Sequence, residues 1–177
     1  MVLSETSPSR MARIAGALSL LSLLSAIFGE FIVRRLELAG DVIALLAMAA
    51  VTVLLYVIFK PVSQSISLLA ASVNLMGIAC GAFHWNPRGI DIPVVLNGVW
   101  SLLIGYLVFN SIFLPRILGV LIAFAGLGWL TYLSPHFAGH LSPYNLAAGV
   151  LGQESLMLWL LVKGVNDQRW KEQAGVA

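Results

Sequence analysis

The stretch LAGDVIALLAMAAVTVLLYVIF, residues 38–59, decides the fold class, because Asp41 is its only charged side chain. A helix that crosses the hydrocarbon core of a bilayer needs about 20 mainly apolar residues. The stretch has that length and that composition. It therefore predicts a transmembrane helix.

The composition of the whole chain agrees with this reading. Of 177 residues, 59% are hydrophobic and 10% are charged, whereas soluble domains have about 45–50% and about 25%. So few charges cannot cover the surface of a soluble protein of this size, and lipid is the expected partner of the apolar excess. The net charge of +2 and the lack of a basic stripe with interleaved aromatics argue against nucleic acid as a partner.

Six segments have the length and apolarity of membrane helices, and charged or proline-containing breaks separate them. They are residues 14–33, 38–59, 66–83, 92–114, 117–133 and 144–162. The prediction is an all-α fold, a six-helix transmembrane bundle with short connectors, forming a single integral membrane domain over residues 1–177. The first segment has no convincing small-x-small cleavage site, so a retained helix is expected rather than a signal peptide.

The distribution of Lys and Arg predicts the orientation, since cytoplasmic loops carry more of them. With the N-terminus inside, seven of the ten basic residues are cytoplasmic and three (Arg34, Arg35 and Arg88) are outside. We therefore expect a multi-pass protein of the inner (cytoplasmic) membrane with both termini in the cytoplasm.

Three carboxylates and two amides are the candidate ligand- or ion-binding residues within the spans: Glu30, Asp41, Asn74, Asn97 and Glu154. Glu30 and Asp41 are expected near the outer ends of their helices, within reach of headgroup water. Glu154 lies halfway along the last span, where a charge costs at least about 2.5–3.5 kcal/mol. The polar interior is thus predicted to be concentrated in the outer half of the bundle.

Two interpretations of Glu154 remain open. Intramembrane carboxylates mark proton and cation pathways, but a neutral carboxylic acid bonded to a neighbouring helix also explains one. Asn74, at a similar depth on the third span, is one candidate partner. Glu154 points away from the small residues Asn145, Gly149 and Gly152, so the last helix is expected to present its two faces to different neighbours.

The connector LSPHFAGHLSPYN, residues 133–145, contains His136 and His140. Ser134 and Pro135 have the form of a helix start, and Ser142 and Pro143 repeat it. A short interfacial turn over residues 135–141 is therefore predicted, in which the two histidines share a face. Solvated boundary histidines are the favoured interpretation. The alternative is a metal or haem site that also uses His84, which is predicted on the same side.

Four stretches together resemble the bacterial domain-of-unknown-function family 4386: MARIAGALSLL (11–21), LLYVIFKPVSQSISLLAA (54–71), NSIFLPRILGVLIAFAGLGWL (110–130) and GQESLMLWLLVKGVN (152–166). The resemblance covers nearly the whole chain in the same order. It implies a polytopic protein of the bacterial cytoplasmic membrane and assigns no catalytic residue. Family members are expected to have an acidic residue directly after the glycine of the last helix, whereas this chain has Gln153 there and Glu154 one position later.

No motif of a hydrolase, a zinc protease, a phosphate-binding loop or a two-CxxC metal site is present, and the one cysteine, Cys80, lies in an apolar run. The expected function is therefore a non-enzymatic membrane component without a cofactor. It binds or passes a small ligand or ion, or supports a partner protein, and a homo-oligomer could build the pathway between subunits. The alternative is a membrane enzyme with an outer-face metal or haem site formed by the three histidines.

Overall fold

The computed structural model describes the backbone of residues 7–31, 37–83 and 85–175, and the side chains in those ranges except residues 26–31, 37–39 and 88. The described residues form helices and no strand, which confirms the all-α prediction. The helices are α1 (Pro8–Phe31), α2 (Glu37–Phe59), α3 (Gln64–Ala82), α4 (Ile92–Asn110), α5 (Arg116–Leu130), α6 (Pro135–Leu141), α7 (Tyr144–Val162) and α8 (Asp167–Ala174).

The six longer helices form a closed ring. Each of α1 to α4 packs against the next helix in chain order, α5 packs against α7, and α7 packs against α1. The two short helices lie at opposite ends of this ring. α6 precedes α7 at one end, and α8 follows it at the end where α1 begins, since the Ser9 amide donates to Asp167 Oδ1 at 2.6 Å.

Five helical segments in the described part of the chain are long and apolar enough to cross a membrane: Gly40–Phe59, Gln64–Ala82, Ile92–Asn110, Arg116–Leu133 and Tyr144–Val162. Large apolar side chains also cover the outside of the ring, with Leu46 66% exposed, Phe124 62% and Leu151 68%. A soluble monomer does not expose apolar surface on this scale. These features are those of a multi-pass membrane protein.

Some predicted boundaries differ from the observed ones. The fourth span ends at Asn110 and not at residue 114, because Ser111 has an extended backbone and its hydroxyl donates to the Val108 carbonyl at 2.8 Å. Pro115 disfavours helix in the residue before it, so the chain stays non-helical until Arg116. The first helix begins earlier than predicted, at Pro8, where Ser7 Oγ accepts from the Arg10 amide at 3.3 Å as an N-cap.

The interfacial turn over residues 135–141 is confirmed as α6, with Pro135 in its first turn. The second Ser-Pro pair behaves differently from the prediction. Ser142 ends α6, and Pro143 rather than Ser142 precedes the first residue of α7.

The interior of the ring is divided into two halves. The half near α8 holds the apolar core, in which Phe59, Trp100, Leu107 and Leu156 are at most 1% exposed. The opposite half contains buried polar side chains, among them Ser22 and Asn145. Buried polar side chains are not confined to that half, since Ser67 is 2% exposed near α8, where its Oγ donates to the Tyr56 carbonyl at 3.0 Å. A polar interior in the outer half of the bundle stays a prediction.

Candidate functional site

Two cavities lie between the helices in the polar half of the ring. The first, which we name the Glu154 cavity, has a volume of about 280 Å³. The second, the Asn74 cavity, has a volume of about 270 Å³. Ser22, Met48 and Asn97 line both, so the cavities adjoin. The other lining residues are Ser19, Leu23, Trp129, Val150, Gln153, Glu154 and Met157 in the first, and Ala44, Leu45, Asn74, Gly77, Ile78, Gly81 and Pro93 in the second.

Asn97 and Gln153 form a paired amide contact between α4 and α7. Asn97 Nδ2 donates to Gln153 Oε1 at 3.3 Å, and Gln153 Nε2 donates to Asn97 Oδ1 at 3.1 Å. Each amide still has a second N–H and a second oxygen lone pair for another partner. The pair therefore fixes the wall of the Glu154 cavity and leaves it able to bind a polar ligand.

Glu154 and the glycines of α7 lie on different faces of the helix, as the sequence predicts. A Cβ atom at Gly152 would collide with the Leu121 carbonyl of α5, so the glycine face packs tightly on that helix. Glu154 lines the cavity together with Ser19 of α1 and Met48 of α2, on the other side. Of the described residues that line this cavity, it is the only one that can carry a charge.

Two serines of α1 supply hydroxyl groups to the same cavity. Ser19 and Ser22 are 6% and 9% exposed. Ser22 Oγ donates to the Ala44 carbonyl of α2 at 3.1 Å, which leaves its oxygen lone pairs as acceptors. Carboxyl, hydroxyl and amide oxygens are thus gathered around one space, and oxygen atoms of these kinds are the ligands that hard cations prefer.

Asn74 lies on the wall of the second cavity and has a partner on α2. Its Nδ2 donates to Thr52 Oγ1 at 2.7 Å, and that hydroxyl donates to the Met48 carbonyl at 2.7 Å. Asn74 is 3% exposed. The structure thus gives it a hydrogen-bond partner other than Glu154, and the two residues line separate but adjoining cavities.

The indole of Trp129 closes the Glu154 cavity near the end of α5. Its ring lies against Gly149 of α7, where a Cβ atom would occupy the same space. The buried Trp129 Nε1 has no hydrogen-bond partner among the described residues. A buried N–H group normally has one, so Trp129 carries an unsatisfied donor within the packed side chains around the cavity.

The remaining carboxylates of the prediction stand apart from this arrangement. Asp41 is exposed near the start of α2 and does not line either cavity. Glu30 belongs to α1, and its side chain lies outside the described residues. Of the five predicted residues, the structure thus places Asn97 and Glu154 on one cavity and Asn74 on the adjoining cavity, which Asn97 also lines.

The two connector histidines share a face of α6, as predicted. Their ring centroids are 4.6 Å apart in an edge-to-face arrangement, and both residues are exposed. His84 lies outside the described residues. Within the described ranges, no group of three or more His, Cys, Asp or Glu side chains is placed to hold a metal ion.

Sequence reasoning missed Gln153 and Trp129 as cavity residues. Gln153 was notable only as the residue at the position where an acidic residue is expected from the family resemblance. A large amide in the middle of an apolar span was a sufficient signal, because an unpaired amide there costs free energy. Trp129 gave no such signal, since tryptophan near a span end is typical of the membrane interface.

Known proteins resemble this chain in sequence. An uncharacterised protein of Archaeoglobus fulgidus is 25% identical over 139 residues, an alignment that covers 72% of this chain and 83% of that relative. No solved structure matches the chain. Residues 81–164 match the model of the family described as a domain of unknown function (DUF4386), which confirms the predicted family resemblance over that part of the chain.

Proposed function

We propose that this protein is a non-enzymatic membrane protein that binds a proton or a small cation in the Glu154 cavity. The observation that carries the proposal is the position of Glu154, the only charge-bearing residue among the described residues that line that cavity. A carboxyl group in a membrane span is costly unless it has a use or a partner. A bound proton or cation supplies that partner.

The composition of the cavity wall favours a cation over an anion. No Lys, Arg or His is among the described lining residues, whereas Ser19, Ser22, Asn97 and Gln153 all provide oxygen atoms. The volume of about 280 Å³ is near the lower limit of the range for organic ligands, about 300–1,000 Å³. A proton, a hydrated alkali ion or a small protonated amine fits this space.

Binding from one side is favoured over free passage. The half of the ring near α8 is filled by side chains such as Trp100, Leu107 and Leu156, each at most 1% exposed. The two cavities, with the polar side chains that line them, lie between the middle of the spans and the opposite end. Sensing or coupling to a partner protein therefore suits this arrangement, and passage would require the apolar half to rearrange.

The proposal places α1 in the membrane as a sixth span. α1 has 24 residues, which corresponds to about 36 Å at 1.5 Å per residue and exceeds the hydrocarbon core of about 30 Å. It packs along α2 and α7, and its first turn lies beside α8. Six spans put both termini on the same side of the membrane. The excess of basic residues on that side assigns it to the cytoplasm, and the proposed location is the inner membrane.

The proposal is tested with the natural fluorescence of Trp129, which lines the same cavity as Glu154. Detergent-purified protein is titrated from pH 9 to pH 5 and, separately, with sodium, potassium and methylammonium chloride. The variants are Glu154→Gln, which keeps the size of the side chain, and Asp41→Asn, which makes the same chemical change at an exposed site. Trp129→Phe identifies the part of the signal that comes from the cavity.

A saturable change in emission is expected for the wild type and for Asp41→Asn, with protons or with one of the three cations. The change is expected to be absent in Glu154→Gln. A response that Glu154→Gln retains would refute the proposal. Proteoliposomes with an internal pH dye and an imposed potential then distinguish binding alone from proton passage.

The second candidate function is an outer-face metal or haem site. The observation that favours it is the distance of 4.6 Å between the ring centroids of His136 and His140. Two histidines one helical turn apart are suitable metal ligands, and His84 would be a third. Such a site would make the protein a candidate redox or hydrolytic enzyme.

A further inference from the structure

A second polar pocket lies at the opposite end of the ring, just beyond the ends of the spans. It has a volume of about 400 Å³ and lies between the α4–α5 connector, the end of α7 and the start of α8. Lys163, Arg169 and Trp159 are among its lining residues, and we name it the Lys163 pocket. Because α4 ends at Asn110, α5 begins at Arg116 and α7 ends at Val162, the pocket is at the level of a membrane boundary.

The charge in this pocket is positive. Lys163 and Arg169 are the only charge-bearing side chains among its described lining residues. Arg169 uses one guanidinium N–H for the Ile112 carbonyl at 3.4 Å, which leaves four donors. Lys163 follows the last turn of α7 and contributes three more.

The carboxylate closest in sequence does not neutralise this charge. Asp167 lies outside the lining of the pocket, and its Oδ1 accepts the Ser9 amide of α1 at 2.6 Å. Asn166 caps α8 by accepting the Arg169 amide at 3.1 Å. The backbone that carries Arg169 is thus held in place while its side chain remains available.

We propose that the Lys163 pocket binds a phosphate group, either from a phospholipid headgroup or as free phosphate. An ammonium and a guanidinium group on neighbouring walls complement a phosphate anion, which accepts several charge-assisted hydrogen bonds. Basic pockets at the ends of membrane helices bind anionic headgroups for this reason. Trp159, part-buried on the same wall, is suited to the interface between headgroups and acyl chains.

The test compares two double variants that remove the same charge. Lys163→Gln with Arg169→Gln changes the pocket. Arg13→Gln with Lys171→Gln changes two exposed basic residues outside the lining, at the same end of the ring. Native mass spectrometry of the purified protein measures binding of phosphatidylglycerol and phosphatidylcholine, and calorimetry measures binding of inorganic phosphate.

We expect affinity for phosphatidylglycerol or for inorganic phosphate to fall about tenfold or more in the pocket variant, since two cations near an anionic group are lost. The control variant is expected to stay within about twofold of the wild type. A lipid response without a phosphate response identifies a headgroup site, and the reverse identifies a free-phosphate site. Equal losses in both variants, or no loss in the pocket variant, would overturn the proposal. If the pocket variant does not fold, Lys163→Gln compared with Arg13→Gln gives the same test.

Discussion

Asn97 of α4 and Gln153 of α7 donate to each other through their side-chain amides, at 3.3 and 3.1 Å. The helices that carry them are separated in sequence by α5 and α6. This contact therefore joins two sides of the ring across its interior. It also fixes Gln153 in the wall of the Glu154 cavity, which Asn97 and Glu154 line as well.

A double-mutant cycle measures the strength of this contact. Asn97→Leu and Gln153→Leu each leave the partner amide unpaired, so each is expected to lower the free energy of unfolding by about 1–2 kcal/mol. The double variant removes both amides and is expected to be less destabilised than the sum of the two. The measurement is reversible unfolding in mixed micelles with increasing SDS. Strictly additive losses would mean that the amides do not interact.

The glycine face of α7 predicts a strong size limit at Gly152. A methyl group there would meet the Leu121 carbonyl and the Ala125 side chain of α5. Gly152→Ala is therefore expected to destabilise the protein by about 1–3 kcal/mol. Gly139→Ala in α6 is the matched control, because nothing lies within 4 Å of the added atom. Thermal unfolding in detergent distinguishes the two, and equal melting temperatures would argue against close packing of α5 on α7.

The all-α fold and most helix positions could be predicted from the sequence because membrane spans are set by length and apolarity, which are local properties. α3 and α7 lie within two residues of their predicted bounds. The predicted end of the fourth span, residue 114, was wrong because most residues after Asn110 are as apolar as the span itself. Only the Ser111 hydroxyl bond and Pro115 end the helix there.

The site was less predictable, because it depends on which helices are neighbours. The sequence placed Glu154 opposite the glycines of α7, and this is the geometry of the structure. It did not indicate that Asn74 would bond to Thr52 or that Asn97 would pair with Gln153. Those contacts depend on which helices are neighbours in the ring, and the residue pattern of a single helix does not give that information.

The contact between α8 and the end of α2 can also be tested. Trp170 Nε1 of α8 donates to the Ile58 carbonyl of α2 at 2.8 Å. Trp170→Phe keeps an aromatic ring and removes the donor, at an expected cost of about 1 kcal/mol. Hydrogen exchange of the α8 amides should become about fivefold faster, as that free energy implies. Trp85→Phe is the control, because Trp85 is 58% exposed. Unchanged exchange in Trp170→Phe would mean that this bond does not hold α8.

The histidines are tested by metal analysis and an absorption spectrum of the purified protein. Because His136 and His140 are exposed and histidine at a membrane boundary needs no ligand to be stable, we expect less than stoichiometric metal and no haem band. The variant with His84, His136 and His140 all changed to Ala is expected to retain the cation response. Stoichiometric metal or haem that disappears in this variant would instead support the enzyme alternative.

Glu154→Leu separates a structural role for Glu154 from a functional one. A part-buried carboxyl in a membrane span is unfavourable, and a leucine of similar volume fits the apolar side chains of Leu23, Val150 and Met157 in the same cavity. The free energy of unfolding is therefore expected to stay equal to that of the wild type or to rise by about 1–3 kcal/mol. The cation response should be lost, because the oxygen ligands Ser19 and Asn97 provide no negative charge. A variant that is stable and still responds would show that the carboxyl group is dispensable for binding. A variant that is strongly destabilised would show that Glu154 is bonded to a neighbouring helix and serves the fold.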